Sequence, residues 1–106
     1  MPNSYKNALL DLTTTSETTL YTVPTATSTI FKSILVSDDS GSGDSITLTL
    51  TNGANVFSIY KTKTVSANGT EELLTQPLVL EEDQILKVTA TPADRLHVVG
   101  SFIEVT

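Results

Sequence analysis

Asp44-Ser-Ile-Thr-Leu-Thr-Leu-Thr-Asn-Gly-Ala-Asn-Val-Phe-Ser-Ile-Tyr-Lys61 is the stretch whose reading decides the fold. Ile46, Leu48 and Leu50 alternate with Thr47, Thr49 and Thr51, so one side of an extended strand is apolar and the other hydroxylated. Asn52-Gly53 follows, a pair that tolerates the positive φ angles of a tight hairpin turn, and a second alternating run returns through Phe57 and Ile59 with Tyr60 outward. A turn centred on Asn52-Gly53 sets Leu48 opposite Phe57 and Asp44 opposite Lys61; a longer turn ending at Asn55 sets Leu50 opposite Phe57. Both registers bury the same face, because they differ by an even number of residues. The stretch therefore predicts an antiparallel sheet with one wet side, whose apolar side the rest of the chain must cover.

Outward from this hairpin, the same alternation recurs. Towards the N-terminus, Lys6 to Thr13 carries Ala8, Leu10 and Leu12 on one side and Asn7 and Asp11 on the other, with Leu9 breaking the pattern; residues 1–5 read as a flexible arm. Glu17 to Val23 is a softer strand ended by Pro24, which cannot donate to a ladder. Thr29 to Ser37 is apolar on both sides, Ile30, Ile34 and Val36 against Phe31 and Leu35, which suggests a central strand or one pressed by a neighbouring subunit. Ser37 to Gly43 is a loop by composition.

Beyond the hairpin, Asn68-Gly69 marks a second turn, Glu71 to Leu74 a short strand, and Gln76-Pro77 a break before Leu78-Val79-Leu80. Glu81-Glu82-Asp83 is an acidic turn, Gln84 to Thr91 a strand with Leu86, Val88 and Ala90 on one face, and Pro92-Ala93-Asp94 another turn. In the closing run from Arg95 to Val105, a bulge at Gly100 would place Leu96, Val98, Ile103 and Val105 inward and leave Val99 and Phe102 outward. Roughly eight short strands punctuated by turns, with no helical stripe, predict an all-β fold: a single antiparallel two-sheet β-sandwich, jelly-roll or immunoglobulin-like.

At 106 residues the chain is one domain, able to bury about two-thirds of its unfolded surface without staples. With no cysteine, thiol chemistry and sulfur-ligated zinc are excluded. Six basic against twelve acidic residues give a formal charge of -6, which repels nucleic acid and favours solubility. Neither a signal pattern nor an apolar run of bilayer length is present, so no membrane partner is expected.

The lone histidine, His97, lacks a nearby nucleophile and carboxylate in sequence, and alternates outward with Leu96 and Val98. Asp38-Asp39 and Glu81-Glu82-Asp83 lie in loops and do not form the opposed pair that acid–base chemistry needs. Asp38, Asp39 and Asp44 offer clustered oxygens for calcium, but their spacing matches no helix-flanked calcium loop, and a solvated Gly-Ser-Asp loop is the plainer reading. Asn68-Gly69-Thr70 fits the glycosylation sequon and equally a turn. No catalytic residue, cofactor or metal is assigned.

Thr18-Thr19-Leu20-Tyr21-Thr22-Val23-Pro24, then Ile30 to Val36, and later Val65 to Thr70, Leu78-Val79-Leu80, Asp83 to Val88 and Leu96 to Glu104, occur in an order that resembles the small β-sandwich virion proteins of tailed, and particularly marine, bacteriophages. Glu82-Asp83 departs from the Gly-Asp common in that turn of such proteins. The resemblance implies a non-enzymatic capsid decoration protein, or a neck or tail accessory protein, located on the virion. Its partners would be the major capsid protein or other virion proteins, and it would act as a homo-oligomer, a trimer if a decoration protein. From the residues themselves, Leu9, Phe31, Tyr60, Val99 and Phe102 fall on outward or off-core sides and are the candidate subunit interface. A carbohydrate-binding host-attachment module is the competing expectation, with Tyr5, Tyr21 and Tyr60 as the available aromatic platforms.

Overall fold

A computed structural model describes residues 3–12, 15–38, 41, 43–91 and 96–106. Its strands are β1 (Asn3–Leu12), β2 (Thr18–Thr22), β3 (Ser28–Asp38), β4 (Asp44–Asn52), β5 (Asn55–Val65), β6 (Thr70–Glu72), β7 (Leu78–Leu80), β8 (Ile85–Thr91) and β9 (Leu96–Val105). One sheet runs β1-β9-β3-β6 with β7 also on β3, the other β2-β8-β4-β5, and every ladder is antiparallel. Because β6 and β7 pair end to end along the same side of β3, they act as one interrupted strand. Counted so, the chain crosses between sheets at every connection except the β4–β5 hairpin, and the orders are those of a jelly roll rather than an immunoglobulin sandwich.

The core lies between the sheets. Ile46 and Leu48 of β4 and Leu86, Val88 and Ala90 of β8 face Phe31, Ile34 and Val36 of β3 and Leu96, Val98 and Phe102 of β9, all buried. Full burial of each large aliphatic or aromatic side chain stabilises by about 1.5–3 kcal/mol, which is how a chain without cysteine holds together. The hairpin takes the second anticipated register, Leu50 opposite Phe57, but closes more tightly than expected, with Asn52 opposite Asn55 around Gly53-Ala54 and Gly53 at φ 62. Further along β5 the register slips twice, setting Leu48 opposite Tyr60 and Asp44 opposite Val65, and Thr62 takes φ 58 at the second slip.

Several expectations are corrected. Asn3, Ser4 and Tyr5 are not an arm: they pair with Val105, Glu104 and Ile103 and extend β1. There is no bulge at Gly100, for β9 runs opposite β1 with no register shift, so Phe102 falls on the inner side and Ile103 on the outer one, where it is nonetheless buried, outside the core cluster. The bulge sits in β3, where Phe31 pairs with Phe102 but Ser33 pairs with Ser101, leaving Lys32 extra. Phe31 therefore points inward with Thr29, and after the bulge Ile34 and Val36 point inward too. The expected turn at Pro92-Ala93-Asp94 lies outside the described residues.

Gly100 serves a different purpose. A Cβ there would stand 2.8 Å from Cε2 of the buried Phe31 ring, closer than carbon atoms approach without displacement. Gly100→Ala is expected to lower the unfolding free energy by about 1–3 kcal/mol through overpacking. Adding Phe31→Leu should recover part of that loss, since the two sites share one contact, and a urea-denaturation double-mutant cycle measures the coupling; strictly additive losses would mean that the two groups do not meet.

Candidate functional site

The two outer faces of the sandwich differ in chemistry. On the outer side of β2-β8-β4-β5, the ladder sets Thr47 beside Thr89, Thr49 beside Lys87 and Ser58, and Ser45 beside Thr64. This is the hydroxylated side anticipated from the hairpin, but Thr49 is buried rather than wet, and Val56 and Ile85 flank Thr51 at one end. On the outer side of the other sheet, register aligns apolar side chains into two transverse rows. Leu9, Val99 and Leu35 form one, across β1, β9 and β3. Tyr5, Ile103, Ile30 and Val79 form the other, across β1, β9, β3 and β7. Between them Asn7, Ser101 and Ser33 form a polar row without charge. The exposed members are Tyr5 at 82%, Leu9 at 64%, Val79 at 61%, Leu35 at 40% and Val99 at 38%.

Of the five residues expected at an interface, Leu9 and Val99 are outward and are direct cross-strand neighbours. Phe31 and Phe102 are not, because the β3 bulge and the unbroken alternation of β9 turn both rings into the core, where their centroids stack 4.7 Å apart. Tyr60 is half-buried against the core opposite Leu48, because the first slip in β5, between the Thr49 and Leu48 pairs, reverses its side. Sequence reading missed Tyr5, Ile30, Leu35, Ile103 and Val79 as a group. Their sole signal was outward parity on separate strands, and parity is unreadable until the bulge is assigned to β3 rather than β9.

The inner end of the sandwich holds a polar cluster. Tyr21 of β2 lies 4.4 Å from the Phe102 ring centroid and 5.3 Å from that of Phe31. Its hydroxyl donates to Glu104 Oε2 and stands 2.8 Å from Thr29 Oγ1, and since its one proton goes to the carboxylate, Thr29 is the donor in the second bond. Lys6 Nζ lies 2.8 Å from Glu104 Oε1. That Lys6 bond first, with the tyrosine's, holds the Glu104 carboxyl below its ordinary value despite burial. Burial, and then the bond to Glu104, push the Tyr21 phenol up to about 12. The tyrosine is thus a neutral donor bracing the joint between the sheets rather than a base.

Glu72 is a second carboxylate with a structural task. Burial pushes its pKa up, but hydrogen bonds from Ser33 Oγ and from the Ile34 and Leu74 amides outweigh this and lower it. It thereby occupies the gap between β6 and β7 at the β3 bulge. Asp38 Oδ2 accepts from the amides of Gly43, 2.9 Å away, and Asn68, 3.1 Å away, tying the β3–β4 loop to the Asn68-Gly69 turn. Asp44 Oδ1 accepts from the Ser45 amide at 2.7 Å, and Asp39 lies outside the described residues. Among the described residues no cluster of three metal-ligating side chains forms. His97 Nε2 lies 3.3 Å from Asp11 Oδ1, its cross-strand partner on the outer face. Of the aromatic platforms proposed for sugar, Tyr21 is packed among the core rings, Tyr60 is half-buried, and Tyr5 stands in the open.

No protein-family model and no curated protein matches this chain. A solved structure does: a chain from Bacillus endospore appendages, which form a novel family of disulfide-linked pili, superposes with a TM-score of 0.58 at 12% identity, over 98% of this chain and 88% of that one. At that identity the likeness shows a shared fold alone. Disulfide linkage has no counterpart here, where there is no cysteine.

The polar cluster has a pH signature. A phenol whose pKa rises from 10.0 to about 12 on folding contributes stability below pH 10.0 and loses it as pH climbs towards 12. Glu104, depressed on folding, contributes above its ordinary value of 4.5 and loses that contribution as pH falls below it. Urea midpoints followed across pH should therefore fall more steeply for the wild type than for Tyr21→Phe on the alkaline side, and more steeply than for Glu104→Gln on the acid side. Parallel curves would remove the assigned role of the cluster.

Proposed function

We propose that this chain is a non-enzymatic structural protein of a tailed-bacteriophage virion, a capsid decoration protein that docks on the major capsid shell, as a homo-oligomer, through the outer face of β1-β9-β3-β7. The observation that carries the reading is the pair of apolar rows, Tyr5-Ile103-Ile30-Val79 and Leu9-Val99-Leu35, with an uncharged polar row between them. Depletion of charge at the centre with aromatic and aliphatic groups around it is the composition of an interface core, whereas isolated exposed apolar residues would carry no such meaning. The opposite outer face is mainly hydroxylated, its Val56 and Ile85 separated by Thr51 rather than aligned in an apolar row. The order of motifs that resembles phage virion proteins supports the same assignment, and nothing in the polar clusters competes with it, since their carboxylates already serve backbone amides, a lysine and a tyrosine.

Docking would work by desolvation, at about 25 cal/mol per Å² of apolar area before the costs of association are subtracted. Cryo-electron microscopy of purified virions is expected to show the jelly roll on the head with its Leu35 and Val79 side against the shell. A copy number of only about six or twelve, the multiplicities of a tail or neck ring, would move it off the head. Leu35→Glu and Val79→Glu, both at exposed positions, should change the unfolding free energy by no more than about 0.5 kcal/mol and abolish addition of the purified protein to particles lacking it. Undiminished addition would place the contact elsewhere.

A further inference from the structure

The four sheet edges are not equivalent. β2 is five residues long and carries a register shift between Thr19 and Tyr21. β5 slips twice, holds Thr62 at φ 58, and carries Lys61 and Lys63. The β6/β7 edge is split into two three-residue pieces. Short, bulged, charged or broken edges resist pairing with another chain. β1 is neither short, bulged nor broken, and its two charged residues each lie against a group of β9, Lys6 against Glu104 and Asp11 against His97: it runs ten residues from Asn3 to Leu12 in unbroken register with β9, and among the described residues β9 is its one ladder partner. Its other side presents a row of backbone donors and acceptors to solvent, and its outward side chains Tyr5 and Leu9 are the two most exposed large hydrophobic residues described.

We propose that β1 pairs with β1 of a second copy, antiparallel about a two-fold axis at Asn7, joining two sandwiches into one continuous sheet. Tyr5 and Leu9 are placed symmetrically about Asn7. With Asn7 opposite Asn7, Tyr5 of each copy faces Leu9 of the other, Lys6 faces Ala8, and Ser4 faces Leu10, so no like charges meet. The apolar rows then become continuous: Val79, Ile30, Ile103 and Tyr5 of one copy run into Leu9, Val99 and Leu35 of the next, and the reciprocal row does the same. The polar row through Ser33, Ser101 and Asn7 likewise meets its own image.

Other registers lose this match. Centring the axis on Lys6 sets Tyr5 against Asn7 and Leu9 against Asn3; centring it on Ala8 sets Tyr5 against Asp11 and Leu9 against Asn7. A shift that exchanges odd and even positions would set outward residues against inward ones. The pairing is two-fold and closes at a dimer, in place of the trimer that the resemblance to decoration proteins implies, and it stands whether or not the chain is carried on a virion.

The absence of cysteine makes the test clean. Directly opposed residues of an antiparallel pair have Cα atoms about 4.5–5.5 Å apart, inside the range of about 4.4–6.8 Å that a disulfide spans. Asn7→Cys in the full chain should therefore oxidise to a covalent dimer at least about tenfold faster than Tyr5→Cys or Leu9→Cys alone, since pairing supplies a high effective concentration. A mixture of the Tyr5→Cys and Leu9→Cys chains should cross-link as fast as Asn7→Cys, because each faces the other. Sedimentation of the wild-type chain should show a dimer that Leu9→Lys dissociates.

Face-to-face packing of the same apolar rows would hold the Asn7 backbones about 10 Å apart, too far for a disulfide. Equal rates for the three single variants would overturn the edge pairing, as would a trimer, or a monomer at every concentration.

Discussion

The extra residue at Lys32 is the constraint on which the rest of the sandwich depends. Before it, Thr29 and Phe31 face the core; after it, Ile34 and Val36 do. An unbulged β3 would have to expose either Phe31 or both Ile34 and Val36, each worth about 1.5–3 kcal/mol of burial. The bulge interrupts the ladder on the β6/β7 side, and the orphaned groups are met by a side chain: the Glu72 carboxylate takes the Ile34 amide at 2.8 Å and the Ser33 hydroxyl. On the β9 side, Gly100 leaves the space into which the Phe31 ring settles. Bulge, carboxylate and glycine form one device spread over three strands.

Several features follow from that device. With Glu72 bridging the bulge, the chain beyond β6 keeps one further bond to β3, from the Leu73 amide to the Ile34 carbonyl at 2.8 Å, and then leaves the ladder with Leu73 and Leu74 buried in the core. With Phe31 inward, Phe102 stacks on it and Tyr21 closes the cluster from the opposite sheet, carrying its hydroxyl to Glu104. Lys6 then neutralises a carboxylate that burial would otherwise make costly. One local irregularity therefore fixes both the aromatic end of the core and the polar bond between the sheets.

The strands, the turns and the inner faces of β1, β4 and β8 were legible in the sequence because alternation there runs uninterrupted, as in Ala8-Leu10-Leu12 and Leu86-Val88-Ala90. What was not legible was every face lying beyond a bulge. Apolar residues on both sides of β3 and β9 showed that parity breaks somewhere, but Gly100 invites a bulge on propensity while Lys32 does not. The bulge falls at Lys32 because Glu72, distant in sequence, can satisfy it, and pairings of that kind have no local trace. The same holds for Tyr60, whose side depends on the first slip in β5, which the alternating run gives no reason to expect. The outer face was half-legible for this reason: Leu9 and Val99 stand out singly, yet their alignment with Leu35, and that of Tyr5 with Val79, exists only through register across three or four strands.

The distribution of irregularity is itself informative about assembly. Bulges and breaks cost ladder bonds, and here they fall in β2, β3 and β5 and between β6 and β7. Three of these positions are sheet edges, where the lost bonds also prevent pairing with a stranger. The unbulged edge, β1, carries the apolar rows to its very rim, while the protected β5 edge belongs to the sheet whose outer face is mainly threonine, serine and lysine, with Val56 and Ile85 flanking Thr51 at one end. A monomer selected only for solubility would gain from blunting β1 as well, and a single outward lysine in place of Tyr5 or Leu9 would do it. That the same strand keeps an open backbone and a symmetric spacing of its apolar groups, with Asp11 at one end as the outward charge and His97 beside it, supports the proposal that edge and face belong to one assembly surface.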